Sequence, residues 1–330
     1  MRNELKSGNM DLRQLIEKEI GKTISTIENE VLKSQFDYCL QPPGRLFRSR
    51  LSLLVAEALG GNLSVALPFG VALELVQTFT LVHDDIMDSS KLRRGKQSVW
   101  AKYGTSSAIL LGDALFAKAF ERIGTMDVCG EQKAALVDLL SQSVFRVAEG
   151  QQMDMEFEEL PEVEEIQYVR MIERKTAALF VAATEGGAIV ACAKGSLRND
   201  MRQFGRSIGM AFQILDDLGD LIPDAAIKGK TARGDVRRGK KTLILIDAFA
   251  SLDESKTNRL TEIISHGENA KEEELDEAVN LLQESGAIDR AREKLAIFVD
   301  EIKLGIERLP NTDAKNQLMQ LINEIFPIKM

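Results

Sequence analysis

Cysteine is scarce in this chain of 330 residues: Cys39, Cys129 and Cys192 are odd in number and far apart. They offer neither a disulfide framework nor a zinc-ligand spacing, and read most simply as small buried hydrophobes in a reducing compartment. Histidine is limited to His83 and His266, and the sequence gives no ground for a Ser–His or Cys–His nucleophile. Positive charge is in deficit, with 42 Lys and Arg against 51 Asp and Glu, which argues against a nucleic-acid binder. Long apolar runs are missing as well. The most apolar stretch, Leu67–Val82, contains Pro68, Glu74 and Gln77, and is too short and too polar to span a bilayer. The first twenty residues mix acids and bases without an apolar run, so no secretory signal is read there and a cytoplasmic location is expected.

Proline is confined to positions 42, 43, 68, 161, 223, 310 and 327, which leaves long intervals where nothing forbids a helix. Those intervals are filled with Ala, Leu, Glu, Lys, Gln and Met. In Leu12–Val31, Leu51–Leu59, Ala134–Val147 and Leu275–Val299 the apolar residues recur every three to four positions. The chain therefore reads as all-α. No Gly/Ser/Pro linker, composition shift or solenoid period divides it, so 1–330 reads as a single domain with 1–40 as an N-terminal helical segment. Val71–Met87 and Ala177–Ala193 are apolar over most of their circumference. Such helices belong at the centre of a bundle of roughly ten or more helices, with room for a cavity between them.

The sharpest feature is Asp84-Asp85-Ile86-Met87-Asp88. On a helix Asp84 and Asp88 stack one turn apart, and like charges at that spacing repel. They close an apolar helix where water is scarce, so a cation must sit there. The pattern recurs as Asp216-Asp217-Leu218-Gly219-Asp220, again ending an apolar run, with Gln213 on the same face. One such cluster could be a solvated helix end; two, each closing a buried helix, point to a hard divalent cation. Carboxylates without histidine or cysteine partners favour Mg²⁺, which normally bridges carboxylates to a substrate phosphate. The alternating loop ligands of an EF-hand are missing.

Basic residues accompany both clusters. Arg93-Arg94-Gly95 follows the first, and Arg45 and Arg48 open the helix through Leu51–Leu54. Lys175-Thr176 lies inside an apolar helix, where a lysine needs an anion. Residues 228–242, after the second cluster, hold seven basic residues and three glycines and read as a mobile basic loop. Each group has a plainer reading: a helix C-terminal charge pair for Arg93-Arg94, a solvated face for Arg45 and Arg48, a surface loop for 228–242. Taken jointly they describe a pocket with a magnesium wall, a cationic wall and an apolar well. Such a pocket can bind a diphosphate, stabilise its departure and shelter a carbocation from water. His83, beside the first cluster, could be its partner or a core histidine; His266 reads as an exposed loop residue.

These features, in this order, resemble the trans-isoprenyl diphosphate synthases of the polyprenyl synthetase family. The matching set is Gly44-Arg45-x-x-Arg48, Glu74-Leu75 to Asp88, Arg93-Arg94-Gly95, Gly112-Asp113, Gly150-Gln151-x-x-Asp154, Lys175-Thr176, Phe212-Gln213-x-x-Asp216-Asp217-x-x-Asp220 and Gly239-Lys240-x-Thr242. The resemblance implies an all-α fold around a deep central cavity, usually a homodimer, and a mechanism using three Mg²⁺ ions. An allylic diphosphate ionises, C4 of isopentenyl diphosphate attacks C1 of the cation, and a proton is lost. By position, Asp84, Asp85, Asp88 and Asp216 would hold the metals, with Asp217 and Asp220 contributing or supporting them. Arg93, Lys175, Lys240 and Lys230 would grip the allylic diphosphate. Arg45, Arg48, Gln77 and Arg94 would bind isopentenyl diphosphate. Thr176 and Gln213 would help position the forming cation.

The chain departs from the family pattern at Arg45, usually Lys, and at Gln77, commonly His. Gln97 and Trp100 stand where Pro and His are frequent, and the usual C-terminal arginine is missing. None of these removes a metal ligand. Phe79, five residues before Asp84 with Thr80 beside it, occupies the family's chain-length position, which implies a C20 product, then C15; longer chains are the alternative, and Phe79 as plain core packing stays open. A terpene cyclase would not need the second full acidic motif, a non-catalytic partner subunit would have lost one, and a calcium-chelating scaffold would leave Lys175 unexplained.

Overall fold

A computed structural model describes residues 11–221 and 233–326. The elements in chain order are α1 (Leu12–Ser25), α2 (Glu30–Leu40), α3 (Phe47–Ala58), α4 (Leu63–Met87), the strands β1 (Leu92–Arg93) and β2 (Lys96–Gln97), α5 (Val99–Tyr103), α6 (Thr105–Gly124) and α7 (Gly130–Glu159). There follow α8 (Glu165–Ile172), a π-helical turn Glu173–Ala177, α9 (Ala178–Val190), α10 (Ser196–Leu221), α11 (Gly234–Arg238) and α12 (Leu243–Ser251). The series ends with α13 (Glu254–Ser265), α14 (Glu272–Glu284), α15 (Ala287–Glu307) and α16 (Asp313–Asn323). The expected all-α class holds, the one exception among the described residues being the antiparallel β1–β2 hairpin.

The chain forms two compact units, one of Met1–Gln142, Val181–Gln203 and Ile306–Met330, the other of Ser143–Phe180 and Phe204–Gly305. The boundaries fall inside α7, α9, α10 and α15, so no linker marks them in the sequence.

In the first unit α4 packs against α3 and α6. Asn62 caps it by accepting from the Ser64 N–H, and Ala66, Leu67, Phe69 and the run Val71–Leu73 are buried. The helix runs through Pro68, which the sequence treats as an interruption. Proline there forfeits one backbone bond near the helix start, and the packed neighbours hold the turn. By length and composition α4 could cross a membrane; here its apolar side chains serve as core. The all-round apolar helix around Ala177–Ala193 hides one charge. Glu185 is fully buried and accepts from Arg198 Nε at 2.7 Å and from Arg202 Nε at 2.8 Å, which offsets its desolvation. The cysteine reading needs correction: Cys129 and Cys192 are exposed and only Cys39 is partly covered. Both exposed thiols flank helix ends, where Gln132 Nε2 donates to the Cys192 sulfur at 3.2 Å.

The second unit is built on Tyr168, Met171, Ile214, Leu218, Ile244, Leu260, Ile263, Leu275 and Leu282. Its distinctive local feature is the π-helical turn between α8 and α9. A wider turn of this kind is tolerated mainly where neighbours hold it and where function needs it. Two glycines do the holding. A Cβ on Gly150 of α7 would lie 2.3 Å from the Lys175 nitrogen, and one on Gly209 of α10 would lie 2.4 Å from Ala177 Cα. Both obstacles are backbone atoms, so neither can swing aside. Gly209→Ala is therefore expected to lower unfolding free energy by about 1–3 kcal/mol, read as a drop in the urea midpoint at unchanged slope.

Candidate functional site

The first acidic cluster closes α4. Asp85 is buried, Asp84 half-buried, and Asp88 exposed as the helix C-cap. One cation that answers the repulsion of these carboxylates is Arg93. Its Nε and Nη2 donate to Asp85 Oδ1 at 2.9 and 2.5 Å, and Nη2 lies 3.5 Å from Asp84 Oδ2. Burial pushes the Asp85 carboxyl up, and Arg93 only partly offsets it. Burial would lower the Arg93 guanidinium, but the Asp85 bonds outweigh it and hold it raised. Trp100, at one of the positions that departs from the family pattern, fixes the intervening turn by donating from Nε1 to the Ser90 carbonyl at 2.8 Å.

Arg93 and Arg94, adjacent in sequence, part company because they lie on a hairpin rather than a helix end. Arg94 and Gly95 form its two-residue turn with φ of 53° and 76°, the twist that suits a tight hairpin. A non-glycine residue held there costs on the order of 1 kcal/mol. Arg94 joins Gln77, Glu74, Thr78, Gly44 and Cys39 around a small pocket. Glu74 accepts from the Ser49 N–H and hydroxyl at 3.0 and 2.9 Å. Its charge also acts on Arg48 and Arg94: burial lowers both guanidiniums, Arg48 to about 10, and Glu74 opposes this in each. Arg94 thus lines the pocket as a desolvated cation beside Glu74, where an added anion would find a partner. Burial pushes the Cys39 thiol to about 12, so it is no nucleophile. Arg45 stands apart, exposed and within reach of Glu324.

The π-turn presents Lys175 and Thr176. Lys175 Nζ donates to Asp154 Oδ2 at 2.6 Å, and Lys240 Nζ lies 3.9 Å from the same oxygen. Burial would raise Asp154, but Lys240 and Lys175 hold it below the usual range. Lys240, despite burial, is held raised by Asp154, Asp235 and Asp217. Thr176 Oγ1 donates to Gln213 Oε1 at 2.7 Å, and Gln213 Nε2 donates to Asp217 Oδ1 at 2.9 Å. The Tyr168 hydroxyl donates to the other oxygen of Asp217. Asp217 is buried, which pushes its carboxyl up to about 7 against the pull of those two bonds. Asp220 accepts from the N–H groups of Gly234 and Asp235 at 3.2 and 2.9 Å, capping α11. Asp216 is half-buried. Lys230 lies outside the described residues, as does all of 228–232 in the 228–242 segment. In the rest, Arg233 reaches Asp276 at 2.6 Å and Arg237 donates to the Ala270 carbonyl at 2.9 Å.

Phe79 lies against His83 and Phe116, with centroids 5.0 and 5.4 Å away, and Phe116 continues to Phe120 at 5.1 Å. Thr80 hydrogen-bonds back to the Gln77 carbonyl at 2.9 Å. His83 is a packed histidine: its Nε2 is 3.3 Å from the Ile109 carbonyl, and only a glycine fits opposite it at position 112.

The polyprenyl synthetase family pattern matches residues 29–282. The chain is 36% identical over 314 residues to the short chain isoprenyl diphosphate synthase of Methanothermobacter thermautotrophicus, covering 93% of this chain and 94% of that protein. The chain belongs to the polyprenyl synthetase family. It is also 35% identical over 291 residues to the geranylfarnesyl diphosphate synthase of Aeropyrum pernix, with 87% and 89% of the two chains covered. Among solved structures, geranylgeranyl pyrophosphate synthetase from Pyrococcus horikoshii superposes with a TM-score of 0.88 at 34% identity over 96% of each chain.

Three residues that organise these contacts, Asp154, Glu74 and Tyr168, carry no assigned role in the sequence pattern. Asp154 belongs to the quoted Gly150-Gln151-x-x-Asp154 motif, and its signal was the unanswered charge of Lys175. Glu74 was likewise in a quoted motif. Tyr168 carried no local signal, because only tertiary packing brings it to Asp217. Among the described residues no three acidic, histidine or cysteine side chains converge as a preformed metal cage. The raised carboxyl of Asp217 has a consequence for stability. A carboxyl at about 7 when folded and near 3.8 when unfolded binds its proton more tightly in the native state. Its contribution is therefore full below the unfolded value and is lost as pH rises towards 7. In chelator, the melting temperature of Asp217→Asn relative to wild type is expected to be higher at pH 8 than at pH 4, growing across that window.

Proposed function

We propose that the protein condenses isopentenyl diphosphate with an allylic diphosphate, joining C4 of the first to C1 of the second with loss of pyrophosphate and a proton. The observation that carries this reading is the pairing of acid and base in both units. Asp85 faces Arg93, and Asp154 faces Lys175 and Lys240. Each pairing sits next to an acidic motif whose remaining carboxylates reach water: Asp84 and Asp88 in one, Asp216 in the other. Such oxygen-only, partly hydrated donors suit Mg²⁺, which keeps its waters and bridges to diphosphate oxygens. Up to three ions would be held by Asp84, Asp85, Asp88 and Asp216, and when bound they would neutralise the departing pyrophosphate. Asp217 and Asp220, already engaged by protein donors, serve as supports. Arg93, Lys175 and Lys240 receive the allylic diphosphate. Arg48, Gln77 and Arg94 receive isopentenyl diphosphate, with Arg45 at the exposed margin. The Thr176 hydroxyl and Gln213 amide, locked to one another, present oxygen dipoles towards a developing cation.

The Phe79–Phe116–Phe120 stack supports a short product, C20 being the reading that fits best. The Aeropyrum relative, named for a geranylfarnesyl product, makes C25 the second reading. A homodimer is supported by α6, which leaves Ile109 and Leu110 46% and 61% exposed, an apolar face that a second copy would cover.

Product mass after incubation with Mg²⁺, isopentenyl diphosphate and C5, C10 or C15 primers tests the reading; a C20 product is expected, and no product from any primer would refute the condensation. Phe79→Ala is expected to shift the product longer by one or more C5 units. Asp84→Ala is expected to cut turnover by about two or more orders of magnitude with an unchanged circular dichroism spectrum.

A further inference from the structure

The hairpin that carries Arg94 is fastened to α2 by two reciprocal ties. Lys96 Nζ donates to the carbonyls of Tyr38 and of Gln41, the latter at 3.0 Å. Both carbonyls belong to the end of α2, where a cation is favoured by the helix dipole and by unpaired carbonyls. In return the Tyr38 hydroxyl donates to the Gln97 carbonyl at 2.7 Å. The Tyr38 ring lies under two ammonium groups, Lys96 at 4.3 Å and Lys102 at 3.7 Å from its centroid, and meets Tyr103 edge-on at 5.4 Å. One residue thus grips the returning strand through its hydroxyl, its ring and its main-chain carbonyl.

Immediately before these ties the chain makes the Arg94-Gly95 turn, with Arg94 in a left-handed conformation that it does not adopt by preference. Its guanidinium lies against the Cα of Gly44, since a Cβ there would come within 2.6 Å of Nη2 and 2.8 Å of Cζ. Gly44 has no positive φ, so its lack of a side chain answers to this contact and not to its backbone.

We propose that Tyr38, Lys96 and Gly44 are positioning residues that hold the Arg94 guanidinium in its pocket for the diphosphate of isopentenyl diphosphate. None of the three need touch substrate. Tyr38 and Lys96 fix the strained turn, and Gly44 leaves the space in which the planar fork lies. The proposal rests on the reading of Arg94 as a ligand of that diphosphate.

Steady-state kinetics on Tyr38→Phe, Lys96→Met, Gly44→Ala and Arg94→Ala test it, with KM measured separately for isopentenyl diphosphate and for the allylic primer. Tyr38→Phe removes one hydroxyl and keeps the ring, so it guards against loss of fold. The expected result is a KM for isopentenyl diphosphate raised about five- to tenfold by each of the three positioning variants, with the KM for the primer unchanged. Lys96→Arg, which retains donors to the two carbonyls, should recover most of the loss. In an Arg94→Ala background the Tyr38→Phe change should have no further effect on that KM, because its effect runs through Arg94. A Tyr38→Phe effect of equal size in both backgrounds, or equal rises in both KM values, would overturn the proposal. If Arg94→Ala itself leaves the KM for isopentenyl diphosphate unchanged, the reading of Arg94 fails. If Arg94→Ala raises it while Tyr38→Phe, Lys96→Met and Gly44→Ala do not, only the positioning claim fails.

Discussion

Charge that is out of water must be answered, and the polar organisation of this protein follows from that. Asp85, Glu185 and Asp217, which are buried, and Asp154, which is half-buried, show how it is met. Asp85 takes Arg93, Glu185 takes Arg198 and Arg202, Asp154 takes Lys175 and Lys240. Among the described residues Asp217 takes no cation in direct contact but two neutral donors, Tyr168 and Gln213, and burial raises its carboxyl to about 7. The gradation is informative. The Glu185 cluster is saturated by two arginines and has no acidic motif beside it, which suits a purely structural role. The Asp85 and Asp154 pairs sit next to further carboxylates, where added cation and added anion could enter together.

In the proposed reading this internal neutralisation would give a net acidic chain a diphosphate site of an unusual kind. The arginine and lysines that would bind phosphate are already committed to carboxylates. A bare anion would have to compete with Asp85 for Arg93 and with Asp154 for Lys175. Carboxylates drawn to a divalent cation would release their hold on the basic groups, which would then serve the diphosphate. Metal and diphosphate should therefore enter as a linked pair rather than independently.

Much of this was legible in the sequence. The helical class followed from periodicity and sparse proline, and the two acidic motifs announced themselves by recurrence at the ends of apolar runs. The need for a cation beside Asp84–Asp88, and for an anion beside Lys175, followed from burial alone; the structure supplies Arg93 and Asp154. What could not be read was non-local. A two-residue hairpin turn looks like a helix end in one dimension, so the separation of Arg93 from Arg94 was hidden. The π-turn depends on Gly150 and Gly209, distant in sequence and joined only by packing. Tyr168 is an ordinary core tyrosine until Asp217 is placed against it, and Phe79 gains meaning only beside Phe116 and Phe120. The exposed thiols of Cys129 and Cys192 show the converse error, since a general tendency of cysteine to be buried outweighed their position at helix ends.

The linkage of metal and anion is the most direct consequence of the account. Calorimetric titration of inorganic pyrophosphate into the protein, once with Mg²⁺ and once in chelator, measures it. The account predicts binding at least about tenfold tighter with the metal present, an interval of about 1.4 kcal/mol. Equal affinity in chelator would contradict it, showing that the basic groups bind the anion without any carboxylate being drawn away.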